Sequence, residues 1–301
     1  ARNIVNRIEE TLTYPGQIKV IVIRESRSEE IASWKRFEFM KILMIGDVIA
    51  RGGRKTLSKL LPTLKKNLSV DFVIAQGENS AGGFGHTLET THEMIESGVD
   101  IITSGNHVWD KKDFIEELSK FSVPVLRPLN YPDITPGRGA IDIGPIAVIN
   151  LIGRVFMGEY DSPFTAIDNL LSTGFGKGKP IFVDLHAETT SEKAAMGWYL
   201  DGKVTALVGT HTHVPTADAR ILSNGTAFIS DLGMCGDYDS IIGMDKNKAL
   251  ERFKKKIPIK GIHPATGEAS LSSVLVELDE RTGLAKTIKQ LIKGGSVIEV
   301  S

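Results

Sequence analysis

Ten short apolar runs recur along the chain, most of them separated by segments of helical period. Seven have the length and β-branched content of strands between residue 41 and residue 185: KILMIG, DFVIAQG, VDIITSG, VPVLR, AIDIG, IAVINL and PIFVDL. VTALVG, TAFISD and SSVLVEL continue the series towards the C-terminus. Amphipathic helical patterns fall near 54–68, 87–97, 111–120, 163–173, 191–200 and 245–255, the first with Pro62 inside it as a potential kink. Strand and helix alternate through the first half, which builds a largely parallel sheet covered by helices. The consecutive strands of the middle and end call for a mixed or second sheet. No internal repeat or low-complexity tract is present.

The polar residues have a positional logic. Five of the ten apolar runs end in a cluster able to bind metal. Gly46-Asp47, Gln76-Gly77-Glu78-Asn79, Thr103-Ser104-Gly105-Asn106-His107, Asp184-Leu185-His186 and Gly209-Thr210-His211-Thr212-His213 each follow or close such a run. In open α/β sheets, sites lie beyond the carboxyl ends of the strands. Five such ends would bring Asp47, Glu78, Asn79, Asn106, His107, His186, His211 and His213 to one crevice. Four of the seven histidines are among them. His86, His92 and His263 stand apart.

Each cluster alone has a plainer reading, as a turn or a helix cap. Together they are specific. Carboxylates, imidazoles and amide oxygens without thiolates suit manganese, iron or zinc. One ion could hardly use them all, but two could, about 3.5–4 Å apart with one carboxylate shared. Such a pair polarises a phosphoryl oxygen and makes a hydroxide nucleophile at neutral pH. Gly82-Gly83-Phe84-Gly85 would let backbone approach a phosphate, a weak signal by itself.

Composition narrows the partners. With 36 basic against 37 acidic residues, the net charge of −1 offers no footprint for duplex DNA or an anionic membrane. The single cysteine, Cys235, excludes an intrachain disulfide and a cysteine-based zinc site. No apolar run approaches a membrane span and no secretory signal is evident, so the expected location is the cytoplasm.

The motifs GD (46–47), GEN (77–79), GNH (105–107), the His186 segment and GTHTH (209–213) resemble the calcineurin-like metallophosphoesterases. The longer stretches GENSAGGFGHT, TSGNHVWDKK, VDLHAETTSEK, VGTHTHVPTAD and DLGMCGDYDSIIGMDK are similar to the YmdB-like 2′,3′-cyclic-nucleotide phosphodiesterases, from Met40 to about Gly295. The resemblance implies a four-layer α-β-β-α sandwich of two mixed sheets flanked by helices. It implies two divalent or trivalent ions, iron first and manganese second, and a homo-oligomer. Asp47, Asn79 and His213 would hold one ion, Asn106, His186 and His211 the other, with Glu78 bridging and His107 as general acid. Two features depart from the wider superfamily: Asp47 lacks the usual Asp-x-His partner, and Glu78-Asn79 replaces a second Gly-Asp. The subfamily shares both. Val108 stands where an acidic residue often follows the histidine, which makes Asp110 the candidate to orient His107.

Residues 7–32 resemble the C-terminal end of ribonuclease Y. The domain reading is therefore an appendage over 1–39, of read-through, fusion or start-site origin, and a metallophosphoesterase domain over 40–301. Within the appendage, 4–12 reads as a helix and 17–23 as a strand. The leading function is a dinuclear-metal phosphodiesterase converting 2′,3′-cyclic nucleotides, such as 2′,3′-cyclic AMP, to 3′-nucleotides. The alternatives are a broad phosphomonoesterase or phosphodiesterase with the same site, and a nucleotide-sensing regulatory protein.

Overall fold

A computed structural model of the chain describes residues 39–300. The expected appendage, with its helix and strand, lies outside the described residues except for Phe39, which opens the first strand.

Two sheets and six helices make up the described part. Sheet one contains β1 (Phe39–Ile45), β2 (Asp47–Val48), β3 (Phe72–Gln76), β4 (Ile101–Thr103), β11 (Met234–Asp237), β12 (Ala269–Asp279) and β13 (Ala285–Lys293). Its order is β2-β11-β12-β1-β3-β4, with β13 also paired to β12. Sheet two contains β5 (Ala140–Ile143), β6 (Ile146–Ile152), β7 (Ile181–His186), β8 (Ala206–Thr210), β9 (Arg220–Ile221) and β10 (Ala227–Ile229), in the order β5-β6-β7-β8-β10-β9. Both are mixed. β1, β3 and β4 run parallel to one another, as do β6, β7, β8 and β10, while β12 and β5 run antiparallel to their neighbours.

Three apolar layers hold the elements together. Met40, Ile42 and Met44 of β1 alternate with Leu43 and Ile45, so one strand feeds two faces. The first set meets Val148, Phe182 and Val208 of sheet two in the central core. The second packs under α1 (Ala50–Leu68), α2 (Leu88–Glu96) and α3 (Lys112–Lys120), through Leu57, Leu61, Met94, Phe114 and Leu118. On the far side, Ile149, Val183 and Leu207 pack under α4 (Pro163–Ser172) and α5 (Thr190–Leu200), through Ile167, Met196 and Leu200. The sixth helix, α6 (Lys246–Lys255), buries only Ala249. The result is the expected α-β-β-α sandwich of two mixed sheets flanked by helices.

The differences from the sequence pattern are local. VPVLR forms no strand. Val125 makes a single parallel bridge to Ile102, and Pro124 and Pro128 lack the N–H groups needed to extend a ladder. The α1 helix begins at Ala50, four residues before the expected start, and runs on through Pro62. β2, β9 and β11 are too short to produce a period. β13 carries neighbouring exposed residues, Lys286 and Thr287, and neighbouring buried ones, Leu291 and Ile292, so it lacks a clean period of two.

Candidate metal centre

The strand ends converge as the pattern required. Asp47 sits in β2, Glu78 and Asn79 follow β3, Asn106 and His107 follow β4, His186 closes β7, and His211 and His213 follow β8. Two glycines permit the approach. A side chain at Gly46 would sit 2.0 Å from the Gly233 carbonyl, and one at Gly105 would sit 2.2 Å from the His186 ring.

The side chains form two linked groups. In the first, His213 Nε2 lies 3.1 Å from the Asn79 amide and 3.6 Å from Asp47 Oδ1. In the second, His186 Nε2 faces Glu78 Oε1 at 2.9 Å, Asn106 Oδ1 at 3.0 Å and His211 Nδ1 at 3.0 Å. The His211 peptide N–H donates to Asp47 Oδ2 at 3.2 Å and so ties the groups together. All seven expected ligands are thereby gathered in one place.

This donor set suits a cation. Three lone-pair-bearing atoms, one each from a carboxylate, an amide and an imidazole, converge on one ring nitrogen that can offer at most one proton. The ligand atoms of Glu78, His186 and His211 all lie within 4.8 Å of one another. Gln76 and Thr210, each 3.0 Å from His186 Nδ1, support that ring from behind. With no thiolate present, oxygen and nitrogen donors of this kind fit iron, manganese or zinc.

The electrostatics agree. Burial works to raise Asp47, yet the His213 charge and hydrogen bond hold its carboxyl at about 2. Burial likewise opposes the lowering of Glu78, which His186 outweighs. Burial and then the His186 charge push His211 down to about 4. Burial would also lower His213, but Asp47 raises it to about 9. The carboxylates are thus anionic at neutral pH, and a cation would compete with the His213 proton.

His107 stands at the edge. Its peptide N–H donates to Glu78 Oε2 at 2.9 Å, and its Nδ1 lies 2.9 Å from Asp110 Oδ2. Its ring meets Phe84, from the glycine-rich loop, edge-on at 4.9 Å. His92 is exposed and outside the site. His86 is fully buried and stacked on Phe114 at 5.2 Å.

Several supporting residues had no signal in the sequence. His211 and His213 both adopt positive φ, 103° and 65°, which a non-glycine residue holds only under constraint. The peptide between them donates from Thr212 N to Asp231 Oδ2 at 3.1 Å, and Asp231 is paired with the wholly buried Lys193 at 2.7 Å. Glu188 Oε2 lies 2.9 Å from His211 Nε2, and the Ile242 carbonyl accepts from His213 Nδ1 at 2.9 Å. Glu188 lies two residues beyond His186. Nothing local distinguished it from the helix-capping polar residues beside it.

The profile of the YmdB-like protein family matches residues 43–291. The chain belongs to that family. It is 45% identical over 260 residues to the 2′,3′-cyclic-nucleotide 2′-phosphodiesterase of Bacillus subtilis (strain 168), covering 84% of this chain and 97% of that one. A crystal structure of a phosphatase from Mycoplasma pneumoniae superimposes with a TM-score of 0.79 at 31% identity, covering 87% of this chain and 94% of that one. A stretch of 32 residues, 11% of the chain, is 72% identical to ribonuclease Y of Clostridium kluyveri, of which it covers 6%.

Proposed function

We propose that this YmdB-like protein is a dinuclear-metal phosphodiesterase that hydrolyses 2′,3′-cyclic nucleotides to 3′-nucleotides. The observation that carries the reading is the placement of His107 beside the converging donors, its backbone held by Glu78 and its Nδ1 by Asp110. The similarity to the Bacillus subtilis phosphodiesterase supports the substrate class.

Asp47, Asn79 and His213 would hold one ion and Asn106, His186 and His211 the other, with Glu78 between them. When bound, the ions neutralise phosphate charge and lower the pKa of water, with iron the first choice and manganese the second. The residues of the chain do the rest. With Nδ1–H donated to Asp110, Nε2 is the His107 nitrogen free to deliver a proton. Water adds to phosphorus, the bond to the ribose 2′ oxygen breaks, and His107 protonates that oxygen as it leaves. The phosphate stays on the 3′ position.

The protein would act on small phosphoesters in the cytoplasm as a homo-oligomer. Among the described residues, no helix is long and apolar enough to cross a membrane. The test is a substrate panel at saturating manganese, with products assigned by phosphorus NMR. Formation of the 3′-phosphate from 2′,3′-cyclic AMP is expected. Hydrolysis confined to phosphomonoesters, or formation of the 2′-phosphate, would contradict it.

A further inference from the structure

A row of aromatic rings leads away from the metal-ligand cluster. Trp109, two residues beyond His107, meets Tyr131 edge-on at 5.5 Å, and Tyr131 meets Tyr160 at 5.2 Å and 71°. All three are half-buried, unlike the wholly enclosed rings of Phe114, Phe182 and Phe228 in the core. The Trp109 end of the row borders the centre, because it shares the loop that carries Asn106 and His107. At the other end, Tyr160 lines an open cleft of about 700 Å³ together with Arg154, Val155, Phe164 and Glu192. The cleft lies where β6 and β7 end, since the Gly153 N–H donates to the His186 carbonyl at 2.9 Å.

The walls of the cleft are built rather than loose. The Glu192 carboxylate accepts from the peptide N–H groups of Arg154, at 2.9 and 3.1 Å, and Val155, at 3.2 Å. A side chain at Gly153 would collide with Ala187 at 2.5 Å and Glu192 at 2.6 Å. Gly158 has φ +145°, and a side chain there would come within 3.2 Å of the Tyr160 ring. The Asn130 amide donates to the Asp161 carbonyl at 2.8 Å and fixes the far end of the loop. None of the cleft residues belongs to the metal-ligand cluster or to the His107–Asp110 pair.

We propose that this cleft is the nucleoside subsite, with the base stacked on Tyr160 and the Arg154 guanidinium at its edge. The inference rests on the cyclic-nucleotide reading of the centre. The cleft volume falls within the range of small-molecule sites. Aromatic stacking tolerates any base because every base has a π-face. The site should therefore accept all four 2′,3′-cyclic nucleotides and discriminate mainly against substrates with no base.

The test compares 2′,3′-cyclic AMP with a base-free methyl riboside 2,3-cyclic phosphate, using wild type, Tyr160→Ala and Tyr160→Phe, all metal-loaded. Wild type should favour the cyclic AMP. Tyr160→Ala should raise its KM about tenfold and lower the kcat/KM ratio of the two substrates by the same factor. Tyr160→Phe keeps the ring face and should retain the wild-type ratio. If wild type hydrolyses cyclic AMP but does not prefer it over the base-free ester, the subsite is refuted while the hydrolase reading stands. An equal effect of Tyr160→Ala on both substrates, or a loss in Tyr160→Phe as large as in Tyr160→Ala, refutes it in the same way. If wild type hydrolyses neither substrate, the cyclic-nucleotide reading fails and this inference falls with it.

Discussion

The imidazole of His107 faces the carboxylate of Asp110 across 2.9 Å, one turn further along the same loop. Both side chains are partly exposed, at 29% and 40%. In the proposed mechanism that contact would leave Nε2 as the ring nitrogen for chemistry and would supply the orientation that Val108 cannot.

If that relationship matters to turnover, Asp110→Asn should lower kcat about tenfold with little change in KM, because only the tautomer and tilt of the acid are disturbed. His107→Ala should cost about 10²–10⁴ in kcat. Steady-state kinetics on both variants check this. An Asp110→Asn enzyme with wild-type kcat would remove Asp110 from the account.

The buried pair of Lys193 and Asp231 braces the strained turn that carries His211 and His213. Removing one partner strands the other charge in the interior. Lys193→Met should therefore cost about 3–5 kcal/mol of stability. Metal affinity should fall as well, because Thr212 loses a well-oriented acceptor. Denaturant unfolding together with metal titration separates the two effects, and a variant with unchanged melting and metal binding would contradict the bracing role.

His86 gives a pH dependence of definite sign. Burial pushes it down to about 4 from an ordinary 6.5, with the Glu78 charge opposing. The native state prefers the neutral ring. Its contribution is present in full above pH 6.5 and is lost as pH falls towards 4, by up to about 3 kcal/mol. His86→Leu should flatten the stability curve across that window relative to wild type. Parallel curves from urea titrations between pH 7 and pH 4 would refute the assignment.

Residues 1–39 are proposed to be dispensable for catalysis, since the family profile begins at residue 43 and β1 begins at Phe39. A chain starting at Met40 should keep full kcat and KM. A large loss of activity on truncation would assign the ribonuclease Y-like segment a role in the enzyme.

Much of this site was legible because its parts sit at the carboxyl ends of strongly apolar strands. Ile42–Ile45, Phe72–Ala75 and Ala206–Val208 announce themselves by composition, and the polar residues after them must then share one edge. What remained hidden depends on contacts between distant segments. Lys193 and Asp231 lie in different elements, and Lys193 looks like any solvated helix lysine until the fold buries it. The row formed by Trp109, Tyr131 and Tyr160 joins three loops with no common period. VPVLR fails for the opposite reason: its side chains suit a strand, but Pro124 within it and Pro128 just after it deny it the ladder.

Glu78 is proposed to join two ions into a centre that opens a cyclic phosphate. The most direct measurement is hydrolysis of 2′,3′-cyclic AMP by metal-reconstituted wild type and Glu78→Gln, with metal content determined on the same samples. Two ions per chain and turnover in wild type are predicted, with reduced metal and at least a thousandfold lower kcat, roughly the loss of a transition-state charge stabiliser, in the variant. A Glu78→Gln protein that keeps its metal and its activity, or a two-ion wild type that leaves the cyclic phosphate intact, would contradict it.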